Sequence, residues 1–221
     1  MANPWPRGLR AGSLGALRSP DERDPDAHRW LLAQIALARV NQLRPVGALQ
    51  QAIRTEFTLR FAWSIPSDEA LQAIASASPN GVLEVGAGNG YWAFLLRSRG
   101  IDVLAMDRFP VQDGENPVWT RQSDATVALL QRPWTHVQSG NGKDVGVYGE
   151  ERTLLLCWFY STQTVQTYRG RTIVFVGEWR GSERFAELYD ALERGWRTRA
   201  RIALPHFYGV ADSLWILERR A

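Results

Sequence analysis

One stretch of the chain, residues 81–107, constrains the fold more than any other. Residues 81–85 form a short apolar run of the buried-strand type, and 86–90 form a glycine-rich turn. Residues 91–99 have helical patterning closed by Gly100, and 101–106 form a second apolar run that ends on Asp107. Strand, helix and strand in this order predict a βαβ unit, and therefore a parallel sheet with right-handed crossovers. Further strands are expected at 134–137, 153–159 and 172–176, then a helix at 182–194 and two close strands near 201–204 and 214–217. The expected fold is three-layer α/β, with a mostly parallel sheet of about seven strands.

Extra helices precede this core. Residues 1–23 mix Pro, Gly, Ser and Arg without hydrophobic period and read as a flexible arm. From residue 24 the pattern turns helical: Leu31, Ile35 and Ala38 recur on one face, Pro45 ends that helix, and 46–60 forms a second. The aromatic segment 61–66 breaks the pattern, and Ser67 caps a third helix through 76. Residues 24–78 are thus expected as a helical lid or substrate region, and 79–221 as the ligand-binding core. Pro110, Gly114, Pro117 and Pro133 punctuate 109–133, an irregular connection with one short helix near 125–131.

Composition removes several function classes. Cys157 is the only cysteine, so neither an internal disulfide nor a thiolate zinc cluster is possible, and a reducing cytoplasm is the expected compartment. No apolar run approaches the roughly 20 residues of a membrane span. Net charge is only +3, and Lys143 is the single lysine beside 25 arginines. The basic run Arg194, Arg197, Arg199 and Arg201 reads as a solvated helix end, and basic and aromatic residues do not interleave as in an RNA-binding surface. The three histidines form no ligand pair, so no metal is expected.

Residues 82–91 read Val-Leu-Glu-Val-Gly-Ala-Gly-Asn-Gly-Tyr. Glycines at 86 and 88 let the chain turn tightly and a ligand approach the backbone. Asp107 follows Gly86 by 21 positions, where an acid in dinucleotide folds takes both ribose hydroxyls. Strand, acid, glycine turn, helix, strand and second acid together resemble the first motif of class I S-adenosylmethionine-dependent methyltransferases. The resemblance implies a Rossmann-like methyltransferase fold with S-adenosylmethionine as cofactor. It would be held by Glu84, Gly86, Ala87, Gly88, Gly90, Asp107 and Arg108, with Glu84 toward the ammonium group and Asp107 on the ribose. Adenine is expected near Ser139, Gly140 and Asn141, with Asp124 and Ala125 as the alternative. An NAD-dependent oxidoreductase fits less well, because its third fingerprint glycine falls where Tyr91 stands.

In this family the loop after the fourth strand, here beginning at Cys157, faces the sulfonium methyl group. It lacks the acid and prolines common in amino-methylating relatives. Residues 62–66 (Ala-Trp-Ser-Ile-Pro), Cys157-Trp158 and 176–181 (Val-Gly-Glu-Trp-Arg-Gly) resemble a branch of the family over 62–215. The expected activity is metal-independent methylation at N, O or C of a small aromatic or heterocyclic acceptor. The alternative is a non-methylating S-adenosylmethionine-binding scaffold or regulator. If the acceptor must lose a proton, the candidate bases are Glu178, Tyr160 and His206, with Tyr148 behind them. Trp63, Trp158 and Trp179 are the candidate stacking surfaces for a flat acceptor.

Overall fold

The computed structural model describes residues 54, 57, 58, 60–111, 133–148, 150–207 and 209–220. The expected arm, the first two N-terminal helices apart from a few residues of the second, the short helix near 125–131 and Asp124-Ala125 lie outside the described residues.

Ser67 opens helix α1 (Asp68–Ala77): its hydroxyl accepts the Ala70 N–H at 3.1 Å, and Asp68 and Glu69 occupy the positive first turn. Strand β1 (Val82–Val85) follows, then α2 (Tyr91–Arg97) and β2 (Val103–Asp107). Next come the short β3 (Gln138–Ser139), β4 (Thr153–Cys157), α3 (Thr162–Thr167) and β5 (Thr172–Gly177). Helix α4 (Ala186–Gly195) leads into the antiparallel pair β6 (Trp196–Ala203) and β7 (Ser213–Arg219). The seven strands form one sheet in the order β3-β2-β1-β4-β5-β7-β6, with only β7 running against its neighbours.

Every residue of β1 and β4 is buried, as a sheet covered on both faces requires. Alternation sorts the side chains. Val82, Leu155 and Val174 face α1 and α2, packing with Leu71, Ile74, Trp92 and Leu96. Leu83, Leu154 and Phe175 face α3 and α4, packing with Val165, Leu188 and Leu192. This is the expected three-layer α/β architecture.

Two elements differ from expectation. The strand expected at 134–137 forms instead at Gln138–Ser139. Trp134 turns inward, its ring 4.9 Å from Tyr91 and 5.5 Å from Phe61, with its indole N–H donating to the Arg60 carbonyl at 2.6 Å. Arg97 holds the Thr135 hydroxyl and the His136 carbonyl, which draws 134–137 away from the sheet. The second difference is the arginine run: Arg194 lies in the last turn of α4 as a helix end would have it, but Arg197, Arg199 and Arg201 lie on a strand. β6 is the solvent-facing edge, where Arg197 and Arg199 share Glu218 and Arg201 lies 4.6 Å above the Trp215 ring. A strand with one wet face has too few apolar residues to stand out in sequence, and the register shift between Thr198 and Ala200 breaks its alternation further.

Candidate functional site

The carboxyl ends of β1, β2 and β4 open into a crevice of about 600 Å³, the place where open parallel sheets hold ligands. Its floor is the turn after β1. Gly86, Gly88 and Gly90 adopt φ of 74°, 57° and 78°, the left-handed region that side chains disfavour; Gly90 itself lies outside the lining, with Val137 and Thr135 where its Cβ would be. At Gly88 a Cβ would meet open space, so backbone conformation alone demands glycine there; at Gly86 a Cβ would run into the Phe159 ring.

Two carboxylates bracket this turn. Asp107 accepts the Gly88 N–H on Oδ2 and the Phe109 N–H on Oδ1, each at 2.9 Å, and lines the crevice with Arg108. Burial raises its pKa, opposed by the N–H groups of Phe109, Gly88 and Arg108. Glu84 is 2% exposed, and its Oε2 has no hydrogen-bond partner. Burial pushes it up to about 8 against the pull of Arg97 and the Ala93 N–H, with Asp107 adding to the rise. A buried acid with one unpartnered oxygen on a crevice wall is poised to receive a cation.

Ala87 also lines the crevice, whose far side is formed by Gly140, Asn141, Gly142 and Lys143. Asn141 Oδ1 accepts the Lys143 N–H, and Asp144 Oδ2 accepts the Asn141 N–H, giving a compact turn. Ser139 is a correction: it is exposed, paired in β3 beside Asp107, and outside the lining.

At the other end the crevice is walled by Cys157, Trp158, Phe159 and Trp63. Cys157 is buried, and desolvation holds its thiol up. The Trp63 and Trp158 rings stack at 6.1 Å and 28°, and the Arg54 guanidinium lies over both, 5.9 and 5.3 Å from their centroids. Thr58, Phe61 and Ala62 complete this wall. The segment carrying them is tied to the glycine turn by Asn89, whose side-chain N–H donates to the Arg60 carbonyl at 3.0 Å.

The expected bases do not reach the crevice. Glu178 Oε1 accepts the Ala211 N–H at 2.7 Å, outside the lining, and Arg180 pairs with Asp190 and Glu193 instead of with it. Tyr160 stacks on Phe185 at 4.1 Å and 11°, and burial lifts its phenol away from the range useful to a base near neutrality. His206 places Nδ1 3.0 Å from the Phe207 carbonyl, and Tyr148 packs against the α3 and α4 side of the core; neither lines the crevice. Trp179 is also a correction to the stacking set. It packs on Trp215 at 4.8 Å, donates its N–H to Glu193, and belongs to the core below the sheet edge.

Sequence reading missed Arg54, Ser64 and Asp212. Asp212 is 2% exposed just before β7, and its Oδ1 accepts the Trp158 indole N–H at 3.0 Å. No short motif marks it; only the return of β7 beside β5 carries it to the crevice end of the sheet. Among the described residues no group of three or more His, Cys, Asp or Glu is placed to hold a metal. No helix among them is long and apolar enough to cross a membrane.

No protein-family model and no curated protein matches the sequence. Among solved structures, the chain is similar to magnesium protoporphyrin IX methyltransferase from Synechocystis PCC 6803 with bound SAM: 13% identity, 76% of this chain and 81% of that one, TM-score 0.47. The same enzyme with bound SAH gives 10%, 80%, 88% and 0.48. The tRNA (uracil-54, C5)-methyltransferase of Pyrococcus abyssi, in complex with S-adenosyl-L-homocysteine, gives 14%, 67%, 36% and 0.44. These are likenesses of outline, with TM-scores below 0.5.

Proposed function

We propose that this chain is an S-adenosylmethionine-dependent methyltransferase acting, without a metal, on a small aromatic or heterocyclic acceptor. The observation that carries this reading is the pair of carboxylates about the glycine turn, one of them with a buried, unpartnered oxygen. Glu84 is suited to the cofactor's ammonium group and Asp107 to its ribose hydroxyls. A nicotinamide dinucleotide would bring an anionic pyrophosphate to the same turn, against Glu84.

Bound there, S-adenosylmethionine supplies an electrophilic methyl group on a positively charged sulfur. The chain's own part is to bind, align and exclude water. Gly88 leaves the backbone of the turn open, Asp107 stiffens it through the Gly88 N–H, and Gly140 and Asn141 offer a polar cradle for the nucleobase. Trp63 and Trp158 present flat apolar surfaces at the opposite end, where an acceptor ring would lie in line for attack. Alignment and dehydration supply much of the acceleration for such a transfer, and a base is needed only where the nucleophile must lose a proton. In this reading residues 24–78 form the substrate-side cover, which Thr58, Phe61 and Trp63 support by lining the crevice. The lone cysteine fits a reducing cytoplasm.

Calorimetry with S-adenosylmethionine, S-adenosylhomocysteine and NADH tests the cofactor. Binding of the first two and not the third is expected, and binding of NADH alone would overturn the reading. Transfer of labelled methyl to a metabolite mixture then separates an enzyme from a non-methylating binder.

A further inference from the structure

Trp158 holds an expensive conformation. Its φ of 49° is one of two positive values outside glycine among the described residues. A left-handed backbone is unfavourable for a residue with a Cβ and persists only where its surroundings over-determine it. Two bonds do so here: the Trp158 backbone N–H donates to the Val176 carbonyl at 2.9 Å, and its indole N–H donates to Asp212 at 3.0 Å. The first fixes the chain and the second fixes the rotation of the ring. Strain of this kind gathers at sites that need a side chain held in one orientation.

Asp212 is an unusual anchor. A carboxylate that is 2% exposed is costly to keep; a neutral acceptor would avoid that cost but hold the indole N–H less strongly. The buried Arg54 Nε has no hydrogen-bond partner. The Ser64 hydroxyl acts on Asp212 as a hydrogen-bond donor and Arg54 acts through its charge, so the carboxylate, the hydroxyl and the guanidinium meet at the stacked rings. The carboxylate on the indole N–H also polarises the ring toward a more negative face, the face that the Arg54 guanidinium lies against.

We propose that Asp212 is a positioning residue for the methyl-acceptor site: through its carboxylate it holds the Trp158 ring, with Trp63 and Arg54 stacked on it, as a fixed wall for a planar acceptor. This rests on the methyltransferase reading, because it takes the Trp158 end of the crevice as the acceptor end. Burial pushes Asp212 up to about 6, with the Ser64 hydroxyl, the Trp158 N–H and Arg54 opposing the rise and Glu178 adding to it. Cys157 and Tyr160 are the other titratable groups that feel it. Below pH 6 the anchor is neutral, its hold on the indole weakens, and the wall loosens.

The test uses the full chain saturated with S-adenosylhomocysteine, with indole, quinoline and 1-naphthol as flat probes, followed by tryptophan fluorescence and by the indole N–H resonances. Asp212→Leu should keep its affinity for S-adenosylhomocysteine within about twofold and lose about tenfold in probe affinity, which Asp212→Asn restores to within about threefold. In the parent, probe affinity and the Trp158 indole resonance, assigned with Trp158→Phe, should both titrate near pH 6; in Asp212→Asn neither should. Equal probe binding by Asp212→Leu, no titration of the indole signal, or no probe bound by the parent complex would each overturn the proposal. A parallel loss of S-adenosylhomocysteine would reduce Asp212 to a structural role. If Asp212→Leu fails to fold, the parent's indole titration and its absence in Asp212→Asn decide alone. Failure of the parent to bind S-adenosylhomocysteine at all is a different result, and defeats the methyltransferase reading itself.

Discussion

The two ends of the crevice are built in different ways. The end we propose for the cofactor is local: Glu84, the glycine turn and Asp107 lie within one βαβ unit, and hydrogen bonds from Gly88 and Phe109 to Asp107 close it on itself. The end we propose for the acceptor is assembled from a distance. Arg54, Trp63, Ser64, Trp158 and Asp212 come from three separate parts of the chain and meet only when β7 returns beside β5 and the segment before α1 folds across the sheet edge. The first is a preformed receptacle held by backbone bonds. The second is a stack of side chains, and its shape is free to vary without disturbing the first.

If the ends are separable, each breaks alone. The largest effect is expected at Asp107, which in this reading serves both the loop and the ribose. Asp107→Ala should weaken S-adenosylhomocysteine about 100-fold, roughly 2.7 kcal/mol, by calorimetry. Asp107→Asn should lose about tenfold, since an amide keeps the acceptor for one N–H and loses the charge. The indole resonance of Trp158 should not move in either variant. If it does, the two ends are one cooperative unit.

Glu84 sharpens the contrast through pH. Its pKa of about 8 lies above its ordinary value, so at neutral pH the buried acid is largely protonated in the free protein, and a cationic ligand must drive the proton off. Affinity for S-adenosylmethionine should rise as much as about tenfold per unit from pH 6 to 8 and then level, with proton release visible as buffer-dependent heat. Glu84→Gln should flatten the slope. The same shift acts on stability. A carboxyl whose pKa is raised on folding gives its full contribution below its unfolded pKa and loses it as pH rises through the folded one. The free protein should therefore melt lower at pH 8 than at pH 5, and Glu84→Gln should reduce that fall.

The converse break lies at the stacked rings. Trp63→Ala removes the more exposed of the two rings. It should leave S-adenosylhomocysteine binding within about threefold and reduce methyl transfer about tenfold, in line with the loss of one stacking partner of roughly 1–1.5 kcal/mol. A larger loss of cofactor than of transfer would place Trp63 at the wrong end.

This division also explains what was legible beforehand. The βαβ unit announces itself because its function-bearing residues are neighbours in sequence and each obeys a local rule: glycine for a left-handed turn, an acid at a strand end, an apolar run for a doubly covered strand. Ser67 as a cap and Gly100 as a helix stop were readable for the same reason. Asp212 obeys no local rule; a lone aspartate before a strand reads as a turn until the sheet topology is known. Trp179 misled in the opposite direction, sitting at a strand end as expected yet rotated into the α4 face by Trp215 and Glu193. Ser139 failed because Trp134 was worth more in the core than in a strand, which moved β3 four residues along the chain.

The smallest effect is expected at Glu178, and it marks where the acceptor end stops. Its carboxylate accepts the Ala211 N–H one residue before Asp212, so it steadies the backbone that presents Asp212 without entering the crevice. Gln at this position keeps a carbonyl oxygen for the same N–H, and a single hydrogen bond of this kind contributes about 1 kcal/mol. Glu178→Gln should shift the melting temperature by only a few degrees and leave methyl transfer within about twofold. Glu178→Ala, which deletes the acceptor, should lower probe affinity more than it lowers S-adenosylhomocysteine affinity, because the slack passes to Asp212 and from there to the Trp158 ring. A large drop in turnover with Gln, at unchanged probe affinity, would return Glu178 to the chemistry and extend the acceptor end across β5.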